Sequence, residues 1–257
     1  EKTEQIEEAE EVEGEIEKEC EVKEDCPDKT CFTKDCIDYN CSYFQIIPCC
    51  GNGICETEET YKECAEDCIK SGVFNKDEVW GGTIHVTGDV RVKEGVTLTI
   101  LPGTKVIVTA HQDDQHGGEV DPGLEAESPE AIAITLKAGY PPKDDEYVKS
   151  HVTIEIKGTL NAIGTQENRI IFTSDNASPT TYDWYRLRIW DGNLEYAVVE
   201  YARMITIEGG PQALNKNVKI SNNIIRHMLE GAISIGFLDK TASPIISNNE
   251  IYDCGNE

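Results

Sequence analysis

Apolar residues recur along the last third of the chain at a fixed interval. Residues 218–225 read Val-Lys-Ile-Ser-Asn-Asn-Ile-Ile, and residues 244–251 read Pro-Ile-Ile-Ser-Asn-Asn-Glu-Ile. Ile220 and Ile246, Asn223 and Asn249, and Ile225 and Ile251 each lie 26 residues apart. The same interval reaches back to Leu194, Ala197 and Val199. One step earlier, Phe172-Thr-Ser-Asp175 fits the frame at a spacing of 22. Each unit carries a second alternating strand: Leu187-Arg-Ile189, Ile205-Thr-Ile207 and Ile233-Ser-Ile235. Alternation at period two puts one face in and one face out. Repeats of this length mark units that bury their apolar face only by stacking on a neighbour. Nothing between the strands is long enough for a crossover helix, so the pattern predicts a mostly β chain wound as a parallel β-helix. The predicted interior includes Leu194, Val199, Ile220, Ile225, Ile246 and Ile251. Asparagine tolerates the left-handed backbone that the turns need. Asn223 and Asn249, stacked on successive coils, are expected to hydrogen-bond as a ladder. Glu200 should pair with Arg226, and Tyr201 with His227, for the same 26-residue reason.

Upstream, Ile84–Val86, Val90–Val92, Leu98–Ile100 and Val106–Val108 read as short strands. Gly88-Asp, Glu94-Gly and Pro102-Gly mark turns between them. Residues 69–78 read as a connector. Residues 110–150 break the pattern with ten acidic residues and three lysines, so they form a loop leaving one edge of the coil. Function on such scaffolds concentrates in insertions. His111, Asp113, Asp114 and His116 fall within six residues there. Their mixed nitrogen and oxygen donors suit a divalent cation: calcium, manganese or zinc, according to how many nitrogens engage. The competing structural reading is that the loop's Asp and Gln side chains hydrogen-bond its own backbone.

Ten of the eleven cysteines lie within one short segment: Cys20, Cys26, Cys31, Cys36, Cys41, Cys49, Cys50, Cys55, Cys64 and Cys68. That density in a stretch with few core residues implies five disulfides and an oxidising compartment. Connectivity is not legible. A zinc module would want paired short spacings, and the segment has no histidine. Glu56, Glu59 and Asp67 would gather round a calcium ion if the bridges close their loop. Otherwise they form an ordinary solvated acidic loop. Residues 1–19 contain ten glutamates and read as a solvated tether. The expected organisation is an acidic tether over 1–19, a cysteine-rich module over 20–70, and a β-helix over 71–257 with the insertion at 110–150. The lone Cys254 and the uncapped last coil suggest that the native chain continues past Glu257.

The coils resemble the right-handed parallel β-helix proteins of the pectin-lyase-like superfamily, with their Ile-x-Asn-Asn-x-Ile and Gly-Ile-x-Ile repeats. Gly81-Gly-Thr-Ile-His-Val, Gly95-Val-Thr-Leu-Thr-Ile-Leu-Pro-Gly-Thr104 and Asp183-Trp-Tyr resemble the way that fold begins in many secreted surface proteins. The resemblance spans roughly residues 79–254. Cys50-Gly-Asn-Gly-Ile-Cys55-Glu, leading to Asp67-Cys68, is similar to a small cysteine repeat of secreted archaeal and bacterial surface proteins. The superfamily holds polysaccharide lyases, glycoside hydrolases and many non-enzymes, so it implies a fold rather than an activity.

Charge narrows the partners. The formal net charge is −26, and residues 1–70 alone hold 22 acidic against 7 basic residues. Nucleic acid phosphates would be repelled. No apolar run is long enough to span a membrane. Two methionines and five scattered histidines do not make a copper carrier. Outward coil positions offer Arg186, Arg188, Glu195, Glu200, Arg203 and Arg226, without stacked carboxylates in register. Trp184, Tyr185 and Trp190 are read as filling a bend of the core rather than stacking on sugars. The reading that fits is a non-catalytic extracellular or cell-surface module. It would bind glycans or surface proteins, or assemble with itself, in a way sensitive to divalent cations, calcium first among them. The alternative is a polysaccharide lyase or glycoside hydrolase of the β-helix class.

Overall fold

The computed structural model describes residues 18–29, 31–52, 54–56, 59, 61–112, 151–208, 217–236 and 242–255. Asp113, Asp114 and His116 lie outside the described residues. The chain divides into two compact units, Glu1–Ile47 and Pro48–Glu257, so the cysteine-rich segment is shared between them.

The first unit is built on an antiparallel hairpin of β1 (Phe32–Ile37) and β2 (Asn40–Gln45). Its two turn residues, Asp38 and Tyr39, both have positive φ (51° and 61°), as a tight right-twisted hairpin requires. Disulfides Cys20–Cys36 and Cys26–Cys41 close loops of 16 and 15 residues around it. A crosslink over loops of that length stabilises by about 3 kcal/mol on the chain-entropy account. Such crosslinks stand in for a core that so small a unit cannot build.

The second unit starts with a loop crosslinked by Cys50–Cys64 and Cys55–Cys68. A one-turn helix α1 (Ala65–Cys68) then leads into β3 (Ile69–Phe74) and β4 (Glu78–Trp80). The strands that follow are β5 (Thr83–Val92), β6 (Thr97–Ile100), β7 (Lys105–Val108), β8 (Thr153–Ile156), β9 (Thr159–Ile163) and β10 (Ile170–Ser174). Then come β11 (Trp184–Ile189), β12 (Gly192–Glu195), β13 (Ala197–Glu200), β14 (Ala202–Ile207) and β15 (Val218–Ser221). The chain ends with β16 (Ile224–Met228), β17 (Ile233–Ile235), β18 (Ile245–Ser247) and β19 (Glu250–Cys254). All ten cysteines from Cys20 to Cys68 are disulfide-bonded.

Among the described residues every strand pairing in this unit is parallel, and the strands fall into three ladders. The N-terminal half of β5 starts a first ladder through β7, β10, β13, β16 and β19. Its C-terminal half starts a second through β8, β11, β14 and β17. The third ladder runs β4, β6, β9, β12, β15 and β18. The parallel strands curl round one apolar core. Its rows include Ile84, Val106, Phe172, Val199 and Ile225 on the first ladder, and Val90, Ile154, Leu187 and Ile205 on the second. Trp80, Ile100, Ala162, Leu194 and Ile220 form a row on the third. Outward residues alternate with these along β6, β7 and β12, as the pleat dictates.

The 26-residue spacing appears as direct register. Leu194 faces Ile220 and Ile220 faces Ile246. Val199 faces Ile225 and Ile225 faces Ile251. The second strands align as expected, Leu187 on Ile205 and Ile205 on Ile233. Two corners of the later layers hold left-handed residues at the same interval. Tyr196, Asn222 and Asn248 occupy one, and Tyr201, His227 and Asp253 the other, all with φ between 49° and 65°.

Five expectations need correction. Phe172 pairs with Val199, not with the Leu194 row, which continues to Ala162. Ten residues separate Ala162 from Phe172 but only five separate Leu194 from Val199, so the longer corner shifts the frame. Ile246 and Ile251 are 40% and 48% exposed rather than buried. They lie on β18 and β19, the last described strands of their ladders, with no described strand stacked beyond them. Gly88 and Asp89 form no turn but continue β5, where Asp89 is buried and its carboxylate accepts the Thr153 N–H at 2.6 Å. The predicted strands 84–86 and 90–92 are therefore one strand. Residues 69–74 are no connector: β3 pairs in parallel with β5, with a register shift between Lys70 and Gly72.

The crosslinked loop joins this architecture through a parallel bridge from Cys55 to Gly82. Gly82 has φ +65°, and a Cβ there would overlap the Cys55 carbonyl. Only glycine permits that approach. Cys55, Cys68 and Trp80 belong to the same core as the ladders.

Candidate functional site

The described chain stops after β7 at Gln112 and resumes at His151, just before β8. Local hydrogen bonds pin the first of these ends. The Ala110 N–H donates to the Asp175 carboxylate (2.8 Å), and the His111 N–H to the Asp183 carbonyl (2.9 Å). His111 takes a left-handed backbone, φ 52°. His151 is 3% exposed and stacks on the Tyr182 ring at 4.6 Å. These constraints bring the two imidazoles together, His111 Nδ1 lying 2.8 Å from His151 Nε2. One nitrogen carries the shared proton and the other accepts it. On the other side of His111, Nε2 is 3.3 Å from Asp183 Oδ1. Asp183 is wholly buried. Its Oδ2 accepts from the Ser174 hydroxyl, and its Oδ1 from the Thr180 hydroxyl, both at 2.6 Å.

Of the residues expected in the insertion site, His111 alone is described, and it stands in this cluster. His151 and Asp183 were not anticipated. The available signal was His151 as the first residue after the pattern break, since the ends of a long insertion must converge on adjacent strands.

A second constellation covers the outer face of the second ladder. Arg91, Glu155 and Arg188 face one another in register across β5, β8 and β11. Glu155, 1% exposed, pairs with Arg91, with Arg188 (3.1 Å) and with Lys157 (3.9 Å). Arg188 also reaches Glu208 at 3.2 Å. Arg203 pairs with Glu230 and donates to the Tyr185 hydroxyl at 2.9 Å. Arg186 lies over the Tyr185 ring, and Arg188 and Lys157 lie over Trp190. Trp184 is buried in the apolar core, as expected, but Tyr185 is buried outside it, against Arg186 and Arg203, and Trp190 is partly exposed. At the edge of the first ladder, Glu200 accepts from Arg226 (2.7 Å) and from Thr173 (2.7 Å), and Arg226 donates to the Tyr252 hydroxyl (2.9 Å). The Tyr252 hydroxyl first, then Glu200, holds the Arg226 pKa above its ordinary value. Tyr201 and His227 stack at 5.2 Å with their rings nearly parallel.

In the disulfide loop Glu56, Glu59 and Asp67 hydrogen-bond the loop's own backbone and side chains. Asp67 Oδ2 accepts the N–H groups of Gly51 (2.7 Å) and Asn52 (3.2 Å). Glu56 Oε1 accepts from the Asn52 side chain and its Oε2 from the Cys49 N–H. Glu59 Oε2 accepts the Glu56 N–H at 3.2 Å, while its Oε1 is buried without a described partner. Burial, with Glu56 and Asp67 adding negative charge, pushes the Glu59 carboxyl above its ordinary range. Cysteine-containing groupings nearby are disulfide pairs with one carboxylate each. Their sulfurs are consumed, and only the carboxylates remain as ligands.

No family model, curated protein or solved structure matches the chain. Among the described residues, no helix is long and apolar enough to cross a membrane.

Proposed function

We propose that the protein is a non-catalytic extracellular surface module. In this reading the three ladders are a right-handed parallel β-helix of the pectin-lyase-like kind, displayed beyond an acidic tether, that binds glycans. The observation that carries it is the pairing of outward carboxylates with arginines of neighbouring layers: Glu155 with Arg91 and Arg188, Glu230 with Arg203, Glu200 with Arg226. A lyase or hydrolase needs a carboxylate or base poised to exchange a proton with the sugar. A carboxylate held by guanidinium groups is a poor base, but the same pairs bolt successive layers into a stiff face. Trp190, flanked by Arg188 and Lys157, offers a ring for stacking and cations for acidic sugars. Ten disulfide-bonded cysteines suit an oxidising, extracellular setting. Calcium is the cation that Glu56, Glu59 and Asp67 would take, with the buried Glu59 Oε1 as an additional oxygen donor.

The test is incubation of the full chain with polygalacturonate and a panel of neutral and acidic polysaccharides, with and without calcium. Saturable binding that weakens severalfold in Trp190→Ala is the expected result. Unsaturated products or new reducing ends would establish catalysis and defeat the proposal.

A further inference from the structure

The glycan reading does not use the histidine pair between β7 and β8. We propose that His111 and His151 form a two-nitrogen site for a borderline divalent transition cation such as Zn2+, with Asp183 as the carboxylate behind it. His111 Nδ1 and His151 Nε2 already face each other at 2.8 Å. Two imidazoles sharing a tetrahedral zinc have their ligating nitrogens about 3.3 Å apart, given metal–nitrogen bonds of about 2.0–2.1 Å. The pair therefore needs to open by roughly half an ångström, with the cation taking the place of the shared proton. The His111 side chain is 52% exposed and can make that movement. His151 is held by its stack on Tyr182.

Asp183 Oδ1 lies 3.3 Å from His111 Nε2, the nitrogen facing away from the pair. A carboxylate there keeps the ring proton on Nε2 and leaves Nδ1 bare to bind metal, an arrangement general among metal-ligating histidines. Asp183 is itself fixed by Ser174 and Thr180, so it orients the ring rather than competing for the cation. Two nitrogens favour zinc, copper or nickel over calcium. The backbone is strained on both sides of the pair, at His111 (φ 52°) and Tyr182 (φ 119°). Strain of this kind persists where the surroundings over-determine the geometry.

The full chain, stripped with a chelator, is titrated with Zn2+ by calorimetry in excess Ca2+ and Mg2+, which occupy ordinary carboxylates. A parallel sample is loaded with Cu2+ and read by electron paramagnetic resonance. Saturable zinc binding and a two-nitrogen copper pattern are expected. His111→Ala should lower zinc affinity at least tenfold, with circular dichroism unchanged, and reduce the nitrogen pattern. Asp183→Asn should weaken zinc by about 10–100-fold while keeping both nitrogens, and His227→Ala should change nothing. His151 is buried, so the half-exposed His111 decides the matter. Absence of saturable zinc binding, a nitrogen-free spectrum, or equal affinity in wild type and His111→Ala would each overturn the assignment. None of these results bears on glycan binding.

Discussion

Asn223 links three successive layers through its amide. Its side-chain N–H group donates to the Leu194 carbonyl (2.8 Å) and to Asn249 Oδ1 (3.0 Å), and its own Oδ1 accepts the Ala197 N–H (2.8 Å). It therefore satisfies two backbone groups of the layer before it, at a corner where neither strand can. Asn249 repeats the pattern, accepting the Asn223 N–H and donating to the Ile220 carbonyl. Asn223 is buried and Asn249 is not fully so. Replacing Asn223 with Ala leaves the Ala197 N–H and Leu194 carbonyl unpaired in a dry site, which should destabilise by about 1–3 kcal/mol. Asn249→Ala should cost less, because water reaches its partners. Denaturant melts of both variants check this, and an equal loss at the two sites would contradict it. The amide repeat was legible because both residues of each Asn-Asn pair have a fixed job. Asn222 and Asn248 take the left-handed backbone, and Asn223 and Asn249 make the bonds. At the corresponding corner one layer earlier Tyr196 has φ 49°, against its side-chain preference, so composition alone did not reveal that turn.

At the scale of elements, strands with constant corners were legible and those with variable corners were not. β12, β13, β15, β16, β18 and β19 follow the 26-residue interval because their corners at 196, 222 and 248 are equally long, whereas β14 and β17 pair at a spacing of 28. The frame broke at β10, where the corner from β9 is longer, and at β5, where a glycine read as a turn sits inside a strand. β3 escaped notice because Lys70 and Gly72 interrupt its apolar pattern. The histidine cluster joins residues 40 and 72 apart that only the ladder order brings together. The disulfide loop supplies the prediction at this scale. Glu59 titrates above the ordinary value of 4.5, chiefly because it is buried, with Glu56 and Asp67 adding to the shift. The folded state therefore keeps that proton to higher pH than the unfolded state does. Its stability contribution is full below about 4.5 and is lost as pH rises through the folded value. Glu59→Gln removes the ionisation. The variant should melt higher than wild type at pH 7, with the difference shrinking as pH approaches 4. Melting profiles that run parallel across this range would show that the loop carries no such penalty.

For the whole molecule the governing quantity is a net charge of −26, with 49 acidic against 23 basic residues. Like charge at this density destabilises the compact state through self-repulsion while keeping copies apart. Salt then has two opposed effects. It screens the long-range repulsion, whose Debye length falls from about 30 Å at 0.01 M to about 3 Å at 1 M. It also weakens the ion pairs that link layers. Their magnitudes decide between the two. Exposed or half-exposed pairs such as Arg226–Glu200 and Lys219–Glu195 are worth about 0–1 kcal/mol each, and salt removes only part of that. Arg91–Glu155 is buried on both sides and is screened little. The repulsion involves every uncompensated carboxylate at once, and so does its relief. The melting temperature of the full chain should therefore rise between 10 mM and 500 mM sodium chloride, and the tendency to self-associate should rise with it. Calorimetry and light scattering over that range measure both. A melting temperature that fell with salt would mean that the interlayer pairs outweigh the net charge.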